Sequence, residues 1–462
     1  VYMLDQTRAD AIFKTVKKFA TTSELEIIFS SANYALTRFA NNTIHQNVSE
    51  LNEVASIRVA FDGKTARATT NRFDDESLKR AVQSAESIAK VQGSDPDRLP
   101  MAKAAEARAG EKSPMRWFEK TAAITPAERA EAVGKIVGIA KKNKLTTAGI
   151  YSSSDGAEAL INSNGLNVFH RQTSAEVSIT MLGGNSSGWQ KANSPDVSYL
   201  GAPRLAEVAA QKARDSQGPQ ELAPGKYTVV LEPAAVLDLV GFMFWDFGGL
   251  AILDQRSFLN NRIGTKLFGE NVTIVDDVHH PLQSGAAFDG EGVRRQSVGL
   301  VENGVIQRVV YARATAEKMR KSEYAGKVGA ITATGHGFPL PNEVGEAPTN
   351  IVFVTPGGEQ TVEQMVAGTE RGVLITRLWY IREVDPYEKI LTGMTRDGTF
   401  LIEGGKVKHG VRNFRFNQSL VELLNNVEAM GQAVRASGEE SFDMVVPAMK
   451  VRDFNFTEVT KF

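Results

Sequence analysis

The stretch from Pro224 to Gly264, PGKYTVVLEPAAVLDLVGFMFWDFGGLAILDQRSFLNNRIG, decides how this chain is read. Tyr227 to Leu231 is apolar and β-branched, the pattern of a short buried strand, and Pro233 then opens an apolar segment of helical length. A buried helix fed by a strand is a rigid mount that can hold metal ligands in fixed geometry. From Val236 to Leu253, however, the only ionisable residues are Asp238 and Asp246, with no His, Glu or Cys. The Gly248-Gly249 pair reads as a helix end, and Phe242, Phe244, Trp245 and Phe247 read as core or subunit interface.

Composition narrows the class. At 462 residues, with hydrophobic content of 42% and charged content of 23%, the chain suits an ordinary globular protein, divided at about 100 to 200 residues per domain. Its 53 basic and 54 acidic residues leave a net charge of −1, so no general field draws in nucleic acid or anionic membrane. Zero cysteines exclude disulfides and thiolate sites and suit a reducing cytoplasm, the expected location. VYMLDQTRAD lacks the pattern of a signal peptide. The run from Val236 to Leu253 approaches a membrane span in length, but two Asp residues at roughly 2.5 to 3.5 kcal/mol each argue against insertion. No membrane is expected as a partner.

Outward from that stretch, Thr7 to Ala20 reads as an amphipathic helix with Thr7 and Asp10 at capping-box spacing. Five strand-like runs fill Glu24 to Thr70, with Asn41-Asn42 and Asp62-Gly63 at hairpin turns. A helix from Glu76 to Val91 follows, capped by Asp74 or Asp75, and the polar text from Gln92 to Lys120 reads as a linker. Thr125-Pro126-Ala127-Glu128 is a capping box that starts another helix, followed by alternating strands and a helix from Ala202 to Ser216. Gln217 to Lys226 is the clearest domain boundary. The remainder is strand-rich, with turns expected at Asn303-Gly304, Asp397-Gly398 and Gly404-Gly405, and VLITRLWYIREV reads as a strand covered on both faces. The fold class is α+β: two smaller units at 1–110 and 115–219, then a larger β-rich domain of mixed sheets at 225–462.

Strand, helix and downstream text together resemble the TldD/PmbA family, in its TldE (PmbA) branch. TRFANNTIHQNVSE carries the likeness near the N-terminus, and FLNNRIGTKLFGENVTIVDD, FDGEGV, ATGHGFPLPN, TGMTRDGTFLIEGGKV and VVPAMKV carry it most densely. The TldD branch has an H-E-x-x-x-H zinc motif on this helix, and its counterpart here falls at Gly241-Phe242-Met243-Phe244-Trp245-Asp246. Gly241, Phe242 and Asp246 therefore replace the motif's two histidines and glutamate. The family's third ligand, a cysteine, falls at about Ser437 to Ser441.

The resemblance implies a metal-free subunit that pairs with a TldD-like zinc-bearing chain in a metallopeptidase degrading or trimming unfolded peptides. Zinc, and the glutamate acting on its water, would sit in that partner. Peptide would be held by strand addition, with Trp245, His336 and Arg377 as candidate peptide or partner contacts. The alternative is a stand-alone homo-oligomeric peptide-binding protein without hydrolytic activity, or one with different chemistry around His279, His280 or His336.

Other constellations are weaker. Asp276-Asp277-Val278-His279-His280 could bring a carboxylate and an imidazole to a metal, but neighbouring histidines in a strand point to opposite faces, so a loop or strand end is expected. His336 lies between glycines that permit close approach to a ligand, or simply form a tight loop. Ser441 has no local base, and KMRK at Lys318 to Lys321 reads as a solvated face. Neither a Walker phosphate loop nor a G-x-G-x-x-G fingerprint after a strand is present.

Overall fold

The computed structural model describes residues 4–107 and 114–460, and its architecture is the expected α+β. The five N-terminal strand-like runs fuse into three long strands, β1 (Glu24–Ala40), β2 (Thr43–Phe61) and β3 (Lys64–Thr70). Asn41 (φ 51°), Asn42 (60°), Asp62 (43°) and Gly63 (80°) make the turns between them, since these residue types accept left-handed backbone at least cost. β4 (Thr146–Asn162), β5 (Asn167–Leu182) and β6 (Ser187–Ser194) complete an antiparallel sheet ordered β3-β2-β1-β4-β5-β6. β1 pairs with β4 from Glu26↔Asn162 to Phe39↔Gly149. The two N-terminal units expected from the sequence are thus the halves of one sheet, and part of the linker between them lies outside the described residues.

One face of that sheet buries two apolar clusters under four helices. Ile27, Phe29, Ile57 and Val59 pack beneath Gln6–Phe19 and Asp75–Val91. Phe39, Val177 and Ile179 pack beneath Pro126–Lys142 and Ala202–Asp215. The Thr125/Glu128 capping box and the Asp74 cap form as read. At the first helix the cap is Asp5, which accepts from the Arg8 amide at 2.7 Å, in place of the Thr7/Asp10 pair. The opposite face meets the C-terminal half through Leu160 and Leu166 against Val293. Arg116 ties the same contact by donating to the carbonyls of Val278, His280 and Pro281.

Beyond residue 224 lie two further sheets. β7 (Gly225–Leu231) leads to a sheet of β8 (Ile274–Asp276), β9 (Val298–Glu302), β10 (Val305–Ile306), β11 (Ile351–Phe353), β17 (Val434–Ala436) and β18 (Met444–Val446), ordered β10-β9-β8-β11-β18-β17. The other contains β12 (Arg371–Asp385), β13 (Ile390–Glu403), β14 (Lys406–Gly410), β15 (Phe414–Ser419), β16 (Val427–Met430) and β19 (Met449–Val459). Its order β12-β7-β19-β15-β13 closes on itself through β12–β13 pairing, making a five-stranded barrel. Closure removes edges where these strands pair. Both faces of β12 are buried from Gly372 to Leu378, and the strand opens to solvent from Trp379.

Two expectations are corrected here. Asp397-Gly398 is no hairpin turn: β13 runs through it, and the pair bulges opposite Thr376, between Ile375↔Thr399 and Arg377↔Arg396. The apolar segment after Pro233 is likewise not one helix. It is α-helical at Pro233–Val240, 3₁₀ at Gly241–Phe247, and α-helical again at Gly249–Leu253. The break arises because the backbone of Phe247 and Gly249 pairs with Val310, and Gly249 lies so close to Tyr311 that a Cβ would stand 2.4 Å from its ring. Among the described residues no helix is long and apolar enough to cross a membrane.

Candidate functional site

The helix Pro233–Val240 delivers Asp238 into the core, where it accepts from the backbone amides of Glu439 (3.2 Å) and Glu440 (3.0 Å). Its second oxygen has no hydrogen-bond partner. Burial pushes this carboxyl up to about 7. The bonds pin the loop Ser437–Ser441 onto the helix, and Gly438 is required there because a Cβ would meet the Asp238 carboxylate at 2.1 Å. Glu440 in turn accepts from the amides of Tyr380 and Ile381, fixing the loop to β12.

That pinned loop sets Ser441 against Gly241. A Cβ at Gly241 would stand 1.8 Å from Ser441 Oγ and 2.5 Å from its Cβ, with Met444 at 3.2 Å. The positions that the resemblance assigns to the first and third ligands are therefore neighbours in space, and packed side-chain atoms fill the gap between them. Asp246 points elsewhere, onto Lys389 Nζ at 2.5 Å, and accepts from the Phe258 amide. Lys389 also pairs with the more exposed Glu383 at 2.6 Å, so Asp246 belongs to an ion-pair triad that is buried at Asp246 and Lys389. Zinc needs three or four converging side-chain donors. Gly241, Phe242, Ser441 and a lysine-bound Asp246 do not supply them, and the described residues contain no group of three His, Cys, Asp or Glu placed to hold a metal.

Beside this segment opens a cavity of about 360 Å³. Phe244, Trp245, Phe442 and Pro348 give it apolar walls, and Gln283, Arg295, Asn350 and Asp443 give it polar groups. Trp245 is 55% exposed and stacks on Phe338 at 6.0 Å between centroids. Arg295 donates to Asn350 Oδ1 (2.8 Å) and Thr349 Oγ1 (2.6 Å), while its Nε is buried without a partner. At the rim, Asp443 binds Arg435 and Asn193, which joins the cavity to the N-terminal sheet. An aromatic-walled pocket with a few convergent polar groups suits one bulky side chain of an extended peptide. A larger cavity, about 860 Å³, lies between the β5–β6 turn and the barrel around Trp379, Arg396 and Arg412, and shares no lining residue with it.

Of the three contact candidates read from the sequence, only Trp245 reaches the surface. His336 is buried, with Nε2 on Asp276 Oδ1 at 2.8 Å and Nδ1 on Thr334 Oγ1 at 3.0 Å. Burial lowers its pKa against the pull of Asp276. Burial alone would raise Asp276, but His336, Arg295 and the Asn350 amide together hold it below the usual carboxylate range. The pair locks the segment Thr334–Gly337 to β8 and offers no atom to a peptide. Arg377 is also buried, chelating Asp397 and stacked between Trp189 and Trp379. His279 and His280 lie just past β8 in the loop held by Arg116.

Asp238 escapes a reading of the sequence for metal ligands, although a lone acid in an apolar helix signals a buried polar tether. Lys389 carries no such signal, because nothing in the sequence links that residue to Asp246.

Comparison with known proteins agrees with this fold. Residues 224–458 match the PmbA/TldA metallopeptidase C-terminal domain, residues 25–89 its domain 1 and residues 71–217 its central domain. An uncharacterised protein of Methanocaldococcus jannaschii is 26% identical over 71% of this chain and 74% of its own length. The metalloprotease PmbA homolog of Haemophilus influenzae is 22% identical over 91% and 92% of the two chains. The crystal structure of TldE from Thermococcus kodakarensis superposes with a TM-score of 0.84 at 21% identity, over 97% of this chain and 99% of that one.

Proposed function

The chain belongs to the PmbA/TldD metallopeptidase family, and from that premise we propose that it is the metal-free member of a two-chain peptidase. It contributes the peptide cleft, while a like-folded chain with an intact H-E-x-x-x-H motif contributes zinc. The observation that carries this reading is the contact of Gly241 with Ser441, which fills the space between the ligand positions while the adjoining 360 Å³ cleft stays open. In this cleft Trp245 and Phe442 bury an apolar side chain of an unfolded peptide, and Arg295 and Asn350 orient its backbone or a polar end.

Co-expression with an H-E-x-x-x-H chain is expected to give a stable complex that cleaves unfolded peptides faster than the metal-bearing chain alone, with zinc in that chain only. Stoichiometric zinc in this chain by itself, with chelator-sensitive hydrolysis, would overturn the reading. Within the complex, Trp245→Ala is expected to raise KM for aromatic or aliphatic peptides about 10-fold, because losing an aromatic wall forfeits about 1–2 kcal/mol. Since Trp245 is half exposed, the melting temperature should stay within a few degrees, and a collapsed fold would assign Trp245 to packing.

A further inference from the structure

The larger cavity, about 860 Å³, takes no part in the site around Trp245, and its charge differs from that of the chain as a whole, which carries a net −1. Arg396, Arg412 and Arg415 line it. Asp397 is the one acid in the lining, and the buried Arg377 already chelates it. Arg396 reaches that same carboxylate only at 3.6 Å, and Arg412 reaches Glu221 only at 3.8 Å, with both side chains exposed. Arg415 forms no ion pair or side-chain hydrogen bond with any described residue, although Glu458 stands opposite it on β19. Three guanidinium groups therefore border one cleft without an acid of their own.

The cleft is also built to donate. Thr395 Oγ1 accepts from the Phe414 amide at 3.0 Å, so its hydroxyl proton goes to Asn413 Oδ1 at 3.3 Å, and Thr399 Oγ1 donates to the same oxygen at 3.0 Å. Two hydroxyl donors fix which end of the amide is oxygen, and they leave the Asn413 NH₂ in the cleft lining with no partner among the described residues. The opposite wall, Gly183-Gly184 in the β5–β6 turn, is bare backbone that a ligand main chain can approach closely. Both aromatic rings in the lining are covered by guanidinium groups: Arg396 lies over Trp379 at 4.7 Å and Arg382 over Tyr380 at 4.4 Å. A nucleobase needs such a ring face to stack on, so these rings do not suit nucleic acid.

We propose that this cleft binds an extended acidic segment of a polypeptide, with carboxylates at alternate positions. Met394 pairs with Arg415 across β13 and β15, and Arg396 lies two residues beyond Met394 on the same face. Diagonal neighbours of this kind have their Cβ atoms about 7–8 Å apart. In an extended peptide, side chains two residues apart share a face at about 7 Å, which matches that spacing, whereas a single small anion meets only one of the two arginines. The inference deepens the peptidase reading, on which it rests only in taking the ligand to be a peptide: the Trp245 cleft selects an apolar side chain, and this one selects charge.

The test is fluorescence anisotropy on the full chain with a labelled, amidated seven-residue peptide that carries Glu at its second, fourth and sixth positions and Ser between them. It is expected to bind about 10-fold tighter than the same peptide with Gln in place of Glu, and to weaken as salt is raised. Placing the three Glu consecutively should also weaken it, because adjacent side chains point to opposite faces. Arg396→Gln with Arg415→Gln is expected to abolish the preference for Glu; both side chains are exposed, so the circular dichroism spectrum should not change. Equal binding of the Glu and Gln peptides, a preference that survives the double substitution, or tighter binding of a single-stranded oligonucleotide of equal charge through the same arginines overturns the proposal. The measurement needs neither zinc nor a second chain, so a negative result leaves the two-chain reading standing, and failure of that reading leaves this result unaffected.

Discussion

A variant carrying Gly241→His, Phe242→Glu and Asp246→His is expected to bind no stoichiometric zinc, to hydrolyse no peptide by itself, and to lose roughly 4 kcal/mol or more of stability. The loss has two sources. Any side chain at Gly241 enters space held by Ser441 and Met444, and overpacking of that kind costs about 1–3 kcal/mol. Removing the Asp246 carboxylate takes one counter-ion from the buried Lys389, and breaking a buried ion pair costs about 3–5 kcal/mol; Glu383 remains as the second counter-ion, which keeps this contribution near the lower end. Geometry adds a separate obstacle: position 241 faces the Ser441 loop and position 246 faces Lys389 and Phe258, so two histidines there would not converge on one ion. Metal analysis after dialysis and urea unfolding test the two halves independently. Zinc-dependent turnover by the triple variant would show that the site is closer to a working metal centre than its packing indicates.

The same residues show what was legible in the sequence. The Thr125/Glu128 capping box and the Asn41-Asn42, Asp62-Gly63, Asn303-Gly304 and Gly404-Gly405 turns were readable because each rests on one local preference, a side-chain cap or tolerance of positive φ. Asp397-Gly398 carries the same local signal, but Arg377 anchors Asp397 and Thr376 lies opposite the bulge, so tertiary pairing keeps the strand running. Barrel closure was hidden for a related reason: it depends on β12 meeting β7 in parallel, across more than a hundred residues, and no composition encodes that. At the candidate site, the resemblance pointed to Gly241, Phe242 and Asp246 at the motif's positions, and the sequence shows which residues stand there. The tight contact of Gly241 with Ser441, and the tether from Asp238 that enforces it, join positions about 200 apart and became visible only in the fold.

That tether also predicts an unusual pH dependence. Burial raises the carboxyls of Asp238, Asp289 and Glu346 to about 7, and in the same direction displaces Glu158, Glu176, Asp246 and Glu291. An acid whose pKa is raised by folding binds more protons in the folded state between its two pKa values, so stability is fully present below the unfolded value and is lost as pH rises through the folded one. For Asp238 the window runs from the ordinary 3.8 to about 7, nominally about 4 kcal/mol at about 1.4 kcal/mol per pKa unit. Half-buried His170 and His280 and buried His336, whose pKa values are lowered, act in the opposite sense below about pH 6.5, but three imidazoles face seven carboxyls. The unfolding free energy from urea titration is therefore expected to fall by several kcal/mol between pH 5.5 and pH 8. Asp238→Asn isolates one contribution: its amide oxygen can still accept from Glu439 and Glu440, and its NH₂ replaces the oxygen that has no partner. This variant is expected to match the unmodified protein only near or below pH 4, and to exceed its stability by a growing margin up to pH 8. Equal stability of the unmodified protein at both pH values, or an Asn variant weaker at pH 8, would mean that Asp238 stays ionised through a partner that its surroundings do not reveal.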